Sequence, residues 1–197
     1  MKLIDFIKLR PFSYHLTSSE NFARIRTERR LRPAIEFIGR DWLRRRRNNN
    51  LRTNLAIVRD QAPLHAGSIL FLSNWELADL VEHLNNHVFF WPGTESNPIT
   101  AGKNHYGRYS NELNTVLRIP TEELITTNPA PLFSRYNSGA PRVSGGKYSP
   151  RGPRTFLPAE DFIETPGKVK ELVFRSSVTL PRNTQHSADN RRSWSIL

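Results

Sequence analysis

Helix-like and strand-like segments lie in different parts of this chain, and their order limits the folds it can adopt. Apolar residues recur at helical spacing in the first half, whereas strand-like runs lie mainly in the middle and near the C-terminus. A doubly wound parallel sheet needs helices that alternate regularly with strands, so this order favours an α+β fold with helices mainly in the N-terminal half. The predicted helices cover residues 1–10, 21–30, 35–43, 74–85 and 121–124, and the predicted strands cover 12–17, 87–91, 115–119 and 169–175.

The chain of 197 residues is predicted to form a single domain, 1–197. Residues 1–11 form a short N-terminal amphipathic helix, and residues 182–197 form a polar tail that is expected to fray. Residues 94–109 are polar and predict a loop. Residues 128–154 are rich in Pro, Gly, Ser and Asn, which predicts a long functional loop.

The net charge of +11, with a sequence pI near 10.7, is the strongest global signal. Such an excess attracts polyanions, so nucleic acid is the first partner class to consider and an acidic protein the second. The absence of cysteine excludes a disulfide framework and a thiolate zinc site, and it favours a cytoplasmic location. No apolar run reaches the roughly 20 residues that span a bilayer, so no membrane partner is predicted.

The familiar catalytic motifs are missing from this sequence. No glycine-rich loop follows a predicted strand, which argues against Rossmann and P-loop folds. The HExxH and GxSxG patterns are absent, and the six histidines are scattered. We therefore predict no metal site, and any catalytic centre has to be built from residues that are distant in sequence.

One glutamate, Glu171, interrupts an apolar strand-like run near the C-terminus. Alternation along a strand places it on the same face as Val169 and Val173. A carboxylate on an apolar face indicates a functional group. The alternative interpretation is an exposed strand residue that pairs with Lys168 or Lys170.

Aromatic and cationic side chains are interleaved in three polar segments, 104–109, 135–139 and 147–154. This mixture suits stacking on unpaired bases and contact with phosphates. The alternative is a solvated loop whose tyrosines pack back onto the domain. The run of four arginines at 44–47 has two interpretations as well, a footprint for nucleic acid or a solvated helix end. The candidate nucleic-acid-binding residues are Arg108, Tyr109, Arg135, Tyr136, Asn137, Arg151 and Arg154.

Seven short motifs, in order over residues 12–181, resemble those of a bacterial domain family that is in turn similar to the ADP-ribosyltransferase superfamily. Within that superfamily the similarity is in particular to the DarT-like toxins, which modify nucleic acid. The motifs are Tyr14-His-Leu-Thr17, Asn21-Phe-x-x-Ile25, Arg59-Asp-Gln-x-Pro-Leu64, Leu84-Asn-x-x-Val-Phe-Phe-Trp91, Asn137-Ser-Gly139, Pro150-Arg-Gly-Pro-Arg-Thr-Phe-Leu-Pro158 and Val169-Lys-Glu-Leu-Val173.

This resemblance implies an ADP-ribosyltransferase-like split sheet that binds NAD⁺ as a substrate. His15 and Thr17 would hold the adenosine and nicotinamide portions of NAD⁺, with Asn21 and Phe90 also at the cofactor site. His15 has an alternative interpretation as a satisfied, half-buried strand residue. The run of Phe89, Phe90 and Trp91 has an alternative interpretation as a buried strand.

The resemblance also implies two catalytic residues, Glu171 and Arg59. Glu171 would stabilise the positive charge that develops on the ribose when the glycosidic bond breaks, and it would accept a proton from the attacking group. Arg59 would hold the cofactor phosphates or activate the target group. The alternative for Arg59 is an ordinary ion pair with Asp60.

The expected function is that of an NAD⁺-dependent ADP-ribosyltransferase that modifies RNA or DNA, as the toxin of a toxin–antitoxin or phage-defence system. Such a toxin needs a neutralising partner, either an antitoxin or a hydrolase that removes the mark. Two alternatives remain open from the sequence. One is a catalytically silent nucleic-acid-binding domain on the same scaffold, and the other is ADP-ribosylation of a protein.

Overall fold

A computed structural model describes residues 1–138, 148–188 and 191–197. The helices are α1 (Leu3–Leu9), α2 (Ser19–Glu28), α3 (Leu77–Asn85), α4 (Thr100–Arg108) and α5 (Thr121–Thr127). The strands are β1 (Phe12–Ser18), β2 (Arg30–Leu31), β3 (Leu51–Arg52), β4 (Ile57–Val58), β5 (Ile69–Phe71), β6 (His87–Gly93), β7 (Asn114–Pro120), β8 (Leu132–Ser134), β9 (Ser149–Arg151), β10 (Glu171–Arg175), β11 (Val178–Thr179), β12 (Gln185–Ser187) and β13 (Ser195–Ile196).

The main sheet is antiparallel, with strand order β13-β12-β7-β1-β6-β10-β8. The β2–β11 and β3–β4 pairs form small antiparallel sheets, and β5 pairs with β9 in parallel. The predicted α+β class is therefore confirmed. The main sheet lacks parallel neighbours because consecutive strands are not joined by regular crossover helices.

The ladder between β1 and β6 is short, and this feature opens the centre of the sheet. β1 pairs with β7 along its whole length, from Phe12 to Ser18. Its pairing with β6 covers only the positions from Phe12 to Tyr14, opposite Gly93 to Trp91. Beyond Tyr14 and Trp91, β1 and β6 are no longer paired with each other. β1 stays paired with β7, and β6 stays paired with β10.

Both faces of the sheet are covered. Alternate residues of β7 point to opposite faces, so Leu117 and Ile119 enter one core cluster while Val116 enters the other. Helices α1, α2 and α5 contribute to the first cluster, and α4 contributes to the second. Within the described residues, no helix is long and apolar enough to cross a bilayer.

Two predictions in the first 110 residues differ from the structure. Residues 35–43 do not form a helix, because they are divided into short 3₁₀ turns at Ala34–Glu36 and Arg40–Trp42, with Gly39 between them. The predicted loop over 94–109 is confirmed for residues 94–99 but is wrong beyond them, because α4 covers Thr100–Arg108. Its sequence contains two glycines and few apolar residues, so tertiary packing rather than helix propensity stabilises it.

The C-terminal tail and the long loop are more ordered than their composition indicates. β12 and β13 extend the main sheet beyond β7, and Arg29 donates to the backbone oxygen of Leu197 at 2.7 Å. The predicted loop over 128–154 contains β8 and β9, and its central part, 139–147, lies outside the described residues. The tail prediction is thus wrong for 182–188 and 191–197.

Helix α4 approaches β6 closely at Gly102. A Cβ atom at this position would lie 2.9 Å from the Trp91 Cβ and 2.8 Å from the Pro98 Cβ, so α4 would have to shift. We expect Gly102→Ala to lower the free energy of unfolding by about 1–3 kcal/mol despite the better helix propensity of alanine. Gly107→Ala, in the same helix with open space around it, should instead raise it by about 0.5 kcal/mol. Urea unfolding of both variants checks this, and equal effects would contradict the close approach.

Candidate functional site

The opening between β1 and β6 contains a cavity of about 270 Å³. Its walls come from β1, α2, β4 and the segment after it, β6, α4 and the first residue of β10. The fold thus brings together catalytic and cofactor-binding candidates that are far apart in the sequence. Those that line the cavity are His15, Thr17, Asn21, Arg59 and Glu171.

Glu171 begins β10, and it is only 1% exposed. Its Oε1 accepts hydrogen bonds from the backbone N–H of Ser138 at 3.0 Å and from the Ser138 hydroxyl at 2.9 Å. Its Oε2 is buried and has no hydrogen-bond partner within the described chain. Burial raises the pKa of this carboxyl to about 7, although Ser138 and the positive charge of Arg151 oppose the shift. The alternative of an exposed glutamate paired with Lys168 or Lys170 is therefore wrong.

Arg151 supports the segment that carries Ser138. Its guanidinium donates to the backbone oxygens of Asn137 at 3.0 Å and Pro150 at 3.3 Å, and lies 4.5 Å from the centre of the Tyr136 ring. The residue is 1% exposed. This position corrects the expectation that Arg151 contacts nucleic acid, because a buried guanidinium presents almost no surface to a polymer. It acts on Glu171 through its charge and through Asn137.

His15 bridges the two strands at the point where their ladder ends. Its Nδ1 lies 2.9 Å from the backbone oxygen of Phe89, and a carbonyl can only accept, so Nδ1 carries the proton. Burial lowers the pKa of His15, and the positive charge of Arg59 lowers it further. The ring is therefore neutral near pH 7, and its Nε2 is left as a hydrogen-bond acceptor.

Arg59 is fixed on the cavity wall by the loop that precedes β7. Its guanidinium donates to the carboxylate of Glu112 and to the side-chain oxygen of Asn114, and it lies 4.2 Å from the centre of the Tyr109 ring. The predicted alternative, an ion pair with Asp60, is wrong because Asp60 pairs with a different arginine. The Nε of Arg59 is buried and unpaired within the described residues.

Thr17 and Asn21 form a small hydrogen-bonded unit beside His15. The Asn21 amide nitrogen donates to the Thr17 hydroxyl at 3.2 Å and to the Ile57 backbone oxygen at 2.9 Å, while its side-chain oxygen accepts from the Ile57 N–H at 2.8 Å. Asn21 lines the cavity, and its role at a cofactor remains a prediction. Its polar atoms hold β4 against α2 and so position the segment that carries Arg59.

The aromatic run of β6 divides between the cavity and the core. Phe90 is fully buried in the first core cluster, where its ring packs edge-on against Phe174, and it does not line the cavity. This corrects the expectation that Phe90 contacts a cofactor. Phe89 and Trp91 line the cavity instead, because successive residues of a strand point to opposite faces.

A second, wider depression of about 910 Å³ adjoins the cavity, and we call it the basic groove. Pro63 and His105 line both spaces. Among the described residues that line the groove there is no carboxylate. Its cationic residues are Arg10, Lys103, Arg108, Arg135, Arg151 and Lys170.

The candidate nucleic-acid-binding residues mostly gather at this groove. The Tyr136 ring is already engaged there, with guanidinium carbons 4.9 and 4.5 Å from its centre. Tyr109 is 4% exposed and packs in the second core cluster, which corrects its prediction as a stacking surface for bases. Arg154 is exposed but does not line the groove. Those that line it are Arg108, Arg135, Tyr136, Asn137 and Arg151.

Comparison with protein-family models matches residues 11–184 to a family of unknown function, DUF7002. The chain belongs to the DUF7002 family. No curated protein matches the sequence. Since the match runs from β1 to beyond β11, it includes the cavity of this DUF7002 chain and every residue of its basic groove except Arg10.

Several residues of the DUF7002 site were not singled out from the sequence. Ser138 lies inside a motif but carried no predicted role, and Glu112 follows a polar turn with no recognisable pattern. His105 was hidden in a segment predicted to be a loop. In the parts of the chain that are described, no group of three or more His, Cys, Asp or Glu side chains is placed to hold a metal ion.

The four arginines at 44–47 are mostly structural in this DUF7002 chain. Arg44 pairs with Asp79 of α3, and Arg46 donates to the backbone oxygens of Ala62 and Leu64. Arg47 is buried beside the cavity. Both predicted interpretations, a nucleic-acid footprint and a solvated helix end, are therefore wrong for Arg47, whose guanidinium lies within the fold.

Proposed function

We propose that this DUF7002 protein is an NAD⁺-dependent ADP-ribosyltransferase that modifies nucleic acid. The observation that carries the proposal is the buried carboxylate of Glu171, which lines the same cavity as His15 and Arg59. These are the residues that the resemblance to DarT-like enzymes assigns to catalysis and NAD⁺ binding. The opening between β1 and β6 is consistent with the split sheet of that superfamily.

The cavity residues fit an NAD⁺ molecule in the types of contact they offer. Glu171 Oε2 is an acceptor that the described chain does not satisfy, which suits a ribose hydroxyl. His15 Nε2 is a second acceptor for a hydroxyl or a carboxamide N–H. Phe89 and Trp91 supply apolar walls for a nicotinamide ring, and Arg59 supplies positive charge for the phosphates.

The proposed chemistry is substitution at the anomeric carbon of the nicotinamide ribose. The bond between that carbon and the nicotinamide nitrogen breaks, and nicotinamide leaves as a neutral molecule with the bonding electron pair. The ionised Glu171 stabilises the positive charge left on the ribose. A nitrogen or oxygen of the acceptor then forms the new bond, and the proton it loses passes to Glu171 and on to solvent.

The basic groove supports nucleic acid as the acceptor. Its wall presents cations without carboxylates, so it attracts a phosphate backbone beside the proposed catalytic cavity. A protein acceptor has no comparable requirement for continuous positive charge. As a toxin, the protein would require a neutralising partner, an antitoxin or a hydrolase that removes the ADP-ribose.

Transfer of label from NAD⁺ tests the proposal. Purified protein is incubated with NAD⁺ labelled in the adenine and, separately, with single-stranded DNA, duplex DNA, RNA and a protein lysate. Label in a nucleic-acid pool that disappears in Glu171→Gln supports the proposal, and the exposed Glu160→Gln serves as the matched control. Label that appears only in the protein lysate would show that the acceptor is a protein and not a nucleic acid. If NAD⁺ stays intact and the protein is folded, the result would favour the second candidate, a catalytically silent nucleic-acid-binding domain. The observation that supports this candidate is the basic groove.

The pH dependence of transfer should report the ionisation of Glu171. Because the carboxylate is the active form and burial raises the Glu171 pKa to about 7, activity should rise with pH through that value. Below pH 7 we expect kcat/KM for NAD⁺ to fall about tenfold for each pH unit. Initial rates between pH 5.5 and 9 measure this. A profile that stays flat down to pH 5.5 would contradict the assignment of Glu171 as the base.

A further inference from the structure

The cavity and the basic groove meet at one side chain of α4. His105 and Pro63 are the described residues that line both spaces, and of these two only His105 can exchange hydrogen bonds through its side chain. The imidazole stacks on Trp91, with ring centres 4.4 Å apart, and meets Tyr109 edge-on at 4.9 Å. Its orientation is therefore fixed by two aromatic rings of the second core cluster.

His105 is polar and half-buried. Neither ring nitrogen makes a hydrogen bond with the part of the chain that the structure describes. Burial, followed by the positive charge of Arg59, lowers the pKa of His105 to about 3, so the ring is neutral at physiological pH. A fixed, neutral imidazole offers one donor and one acceptor to whatever occupies the junction.

The groove beyond His105 has cations that are free to meet a polyanion. Lys103 and Lys170 are exposed, and neither pairs with a carboxylate among the described residues. Arg108 and Arg135, by contrast, are held at the rim by Asp60 and Glu164. The two lysines therefore gain most from phosphate contacts, because they have no competing partner to lose.

We propose that the cavity and the basic groove are the two compartments of one site, joined at His105. The sugar–phosphate backbone of a nucleic acid lies in the groove, and His105 hydrogen-bonds the acceptor group where it enters the cavity. The inference rests on the proposed function for the identity of the acceptor. The binding it requires, however, is measurable without NAD⁺.

Charge reversal at the two lysines tests the groove. Short fluorescein-labelled DNA and RNA oligonucleotides are titrated with wild-type protein, with the double variant Lys103→Glu/Lys170→Glu and with Lys2→Glu, an exposed lysine outside the groove, as control. We expect the double variant to bind at least about tenfold more weakly, with a salt slope reduced by about one for each lysine. The control should stay close to wild type. If Lys2→Glu weakens oligonucleotide binding equally, or if the double variant does not weaken it, the proposal that nucleic acid binds in the groove is overturned.

Chemical footprinting tests the junction. Diethylpyrocarbonate modifies neutral, accessible imidazoles, and peptide mass spectrometry gives the rate at each histidine. Bound oligonucleotide should slow modification of His105 by about tenfold in wild-type protein, and this protection should be lost in Lys103→Glu/Lys170→Glu at the same concentration. No protection of His105 in a saturated complex would overturn the contact.

The ratio of transfer to hydrolysis separates an acceptor contact from a structural role. His105→Gln should reduce transfer to nucleic acid at least about tenfold more than it reduces NAD⁺ hydrolysis without acceptor. His186→Gln, at a half-buried histidine that lines neither the cavity nor the groove, is the control. Parallel loss of both activities would refute the acceptor contact. If wild-type protein leaves NAD⁺ intact, the proposed function fails, while the titration and the footprint still decide the groove and the junction.

Discussion

Replacing Glu171 by glutamine is expected to stabilise this protein at pH 8 while strongly reducing the transfer activity that we propose for it. The native carboxyl holds its proton up to a pKa of about 7, whereas an unfolded glutamate loses it near 4.5. The native state therefore binds more protons than the unfolded state between these values, and the free energy of unfolding falls as pH rises through this window. Above pH 7 the full cost of a buried charge is present, on the order of 3 kcal/mol.

Glutamine keeps the shape and the acceptor that Ser138 uses, but it carries no charge. We expect Glu171→Gln to raise the free energy of unfolding by about 1–3 kcal/mol at pH 8, with little change at pH 4.5. The expected gain in stability is smaller than the full cost of the buried charge, because glutamine places an amide nitrogen without a partner at the position of the unpaired Oε2. Transfer should fall about 10²- to 10⁴-fold.

Urea unfolding at pH 4.5, 6 and 8 measures the stability, and label transfer measures the activity. Glu160→Gln, at an exposed position, should change neither. A Glu171→Gln protein that is less stable than wild type at pH 8 would show that the ionised carboxylate is a net stabilising group, contrary to its environment. This result is independent of the identity of the substrate.

Removal of Arg151 should have the second-largest effect. Its guanidinium is the buried positive charge that opposes the rise in the Glu171 pKa, and it also holds the Asn137 backbone. We expect Arg151→Met to lower the free energy of unfolding by about 2–4 kcal/mol at pH 8, because breaking a buried charge pair leaves the partner uncompensated. At pH 5 Glu171 is protonated and the cost should be clearly smaller.

Arg151→Met should also move the acidic limb of the pH–activity profile to higher pH, because loss of the positive charge raises the Glu171 pKa. Arg154→Met, which removes an exposed arginine three positions away, is the matched control and should leave both stability and the limb unchanged. In the Glu171→Gln background, the pH dependence of the Arg151→Met effect should vanish, since the titrating partner is gone. If the cost of Arg151→Met is the same at pH 5 and pH 8, the two charges do not interact.

Sequence patterns predicted the four longest strands, β1, β6, β7 and β10, but not the nine shorter strands of the described residues. The runs that became β6, β7 and β10 are apolar on both faces, because both faces of the sheet are covered. Helix α4 gave no periodic signal, since Gly102 is required for close packing rather than for helix formation. The 35–43 segment did show helical spacing, but its chain is turned at Gly39 and is tied to α3 through Arg44.

Strand alternation singled out Glu171 in the candidate site, whereas the resemblance supplied His15, Thr17, Asn21 and Arg59. All five line the cavity. Neither signal indicated the roles of Arg151 and Ser138, because these roles depend on how a loop folds back against β10. Phe90 was predicted to contact the cofactor, but the neighbouring Phe89 lines the cavity. A shift of one position along a strand moves a side chain from the core face to the cavity face, and neither spacing nor composition determines which residue has which face.

The early end of the β1–β6 ladder has an evolutionary consequence. β1 keeps its complete pairing with β7, and β6 keeps its pairing with β10, so substitutions along the inner edges of the opening break no strand ladder. Leu16 and Val88 on these edges are buried in the core clusters and stay constrained by packing, whereas polar positions there can change with the ladders intact. The opening therefore allows the ligand preference of the cavity to change while the strand pairing on both sides of it is kept.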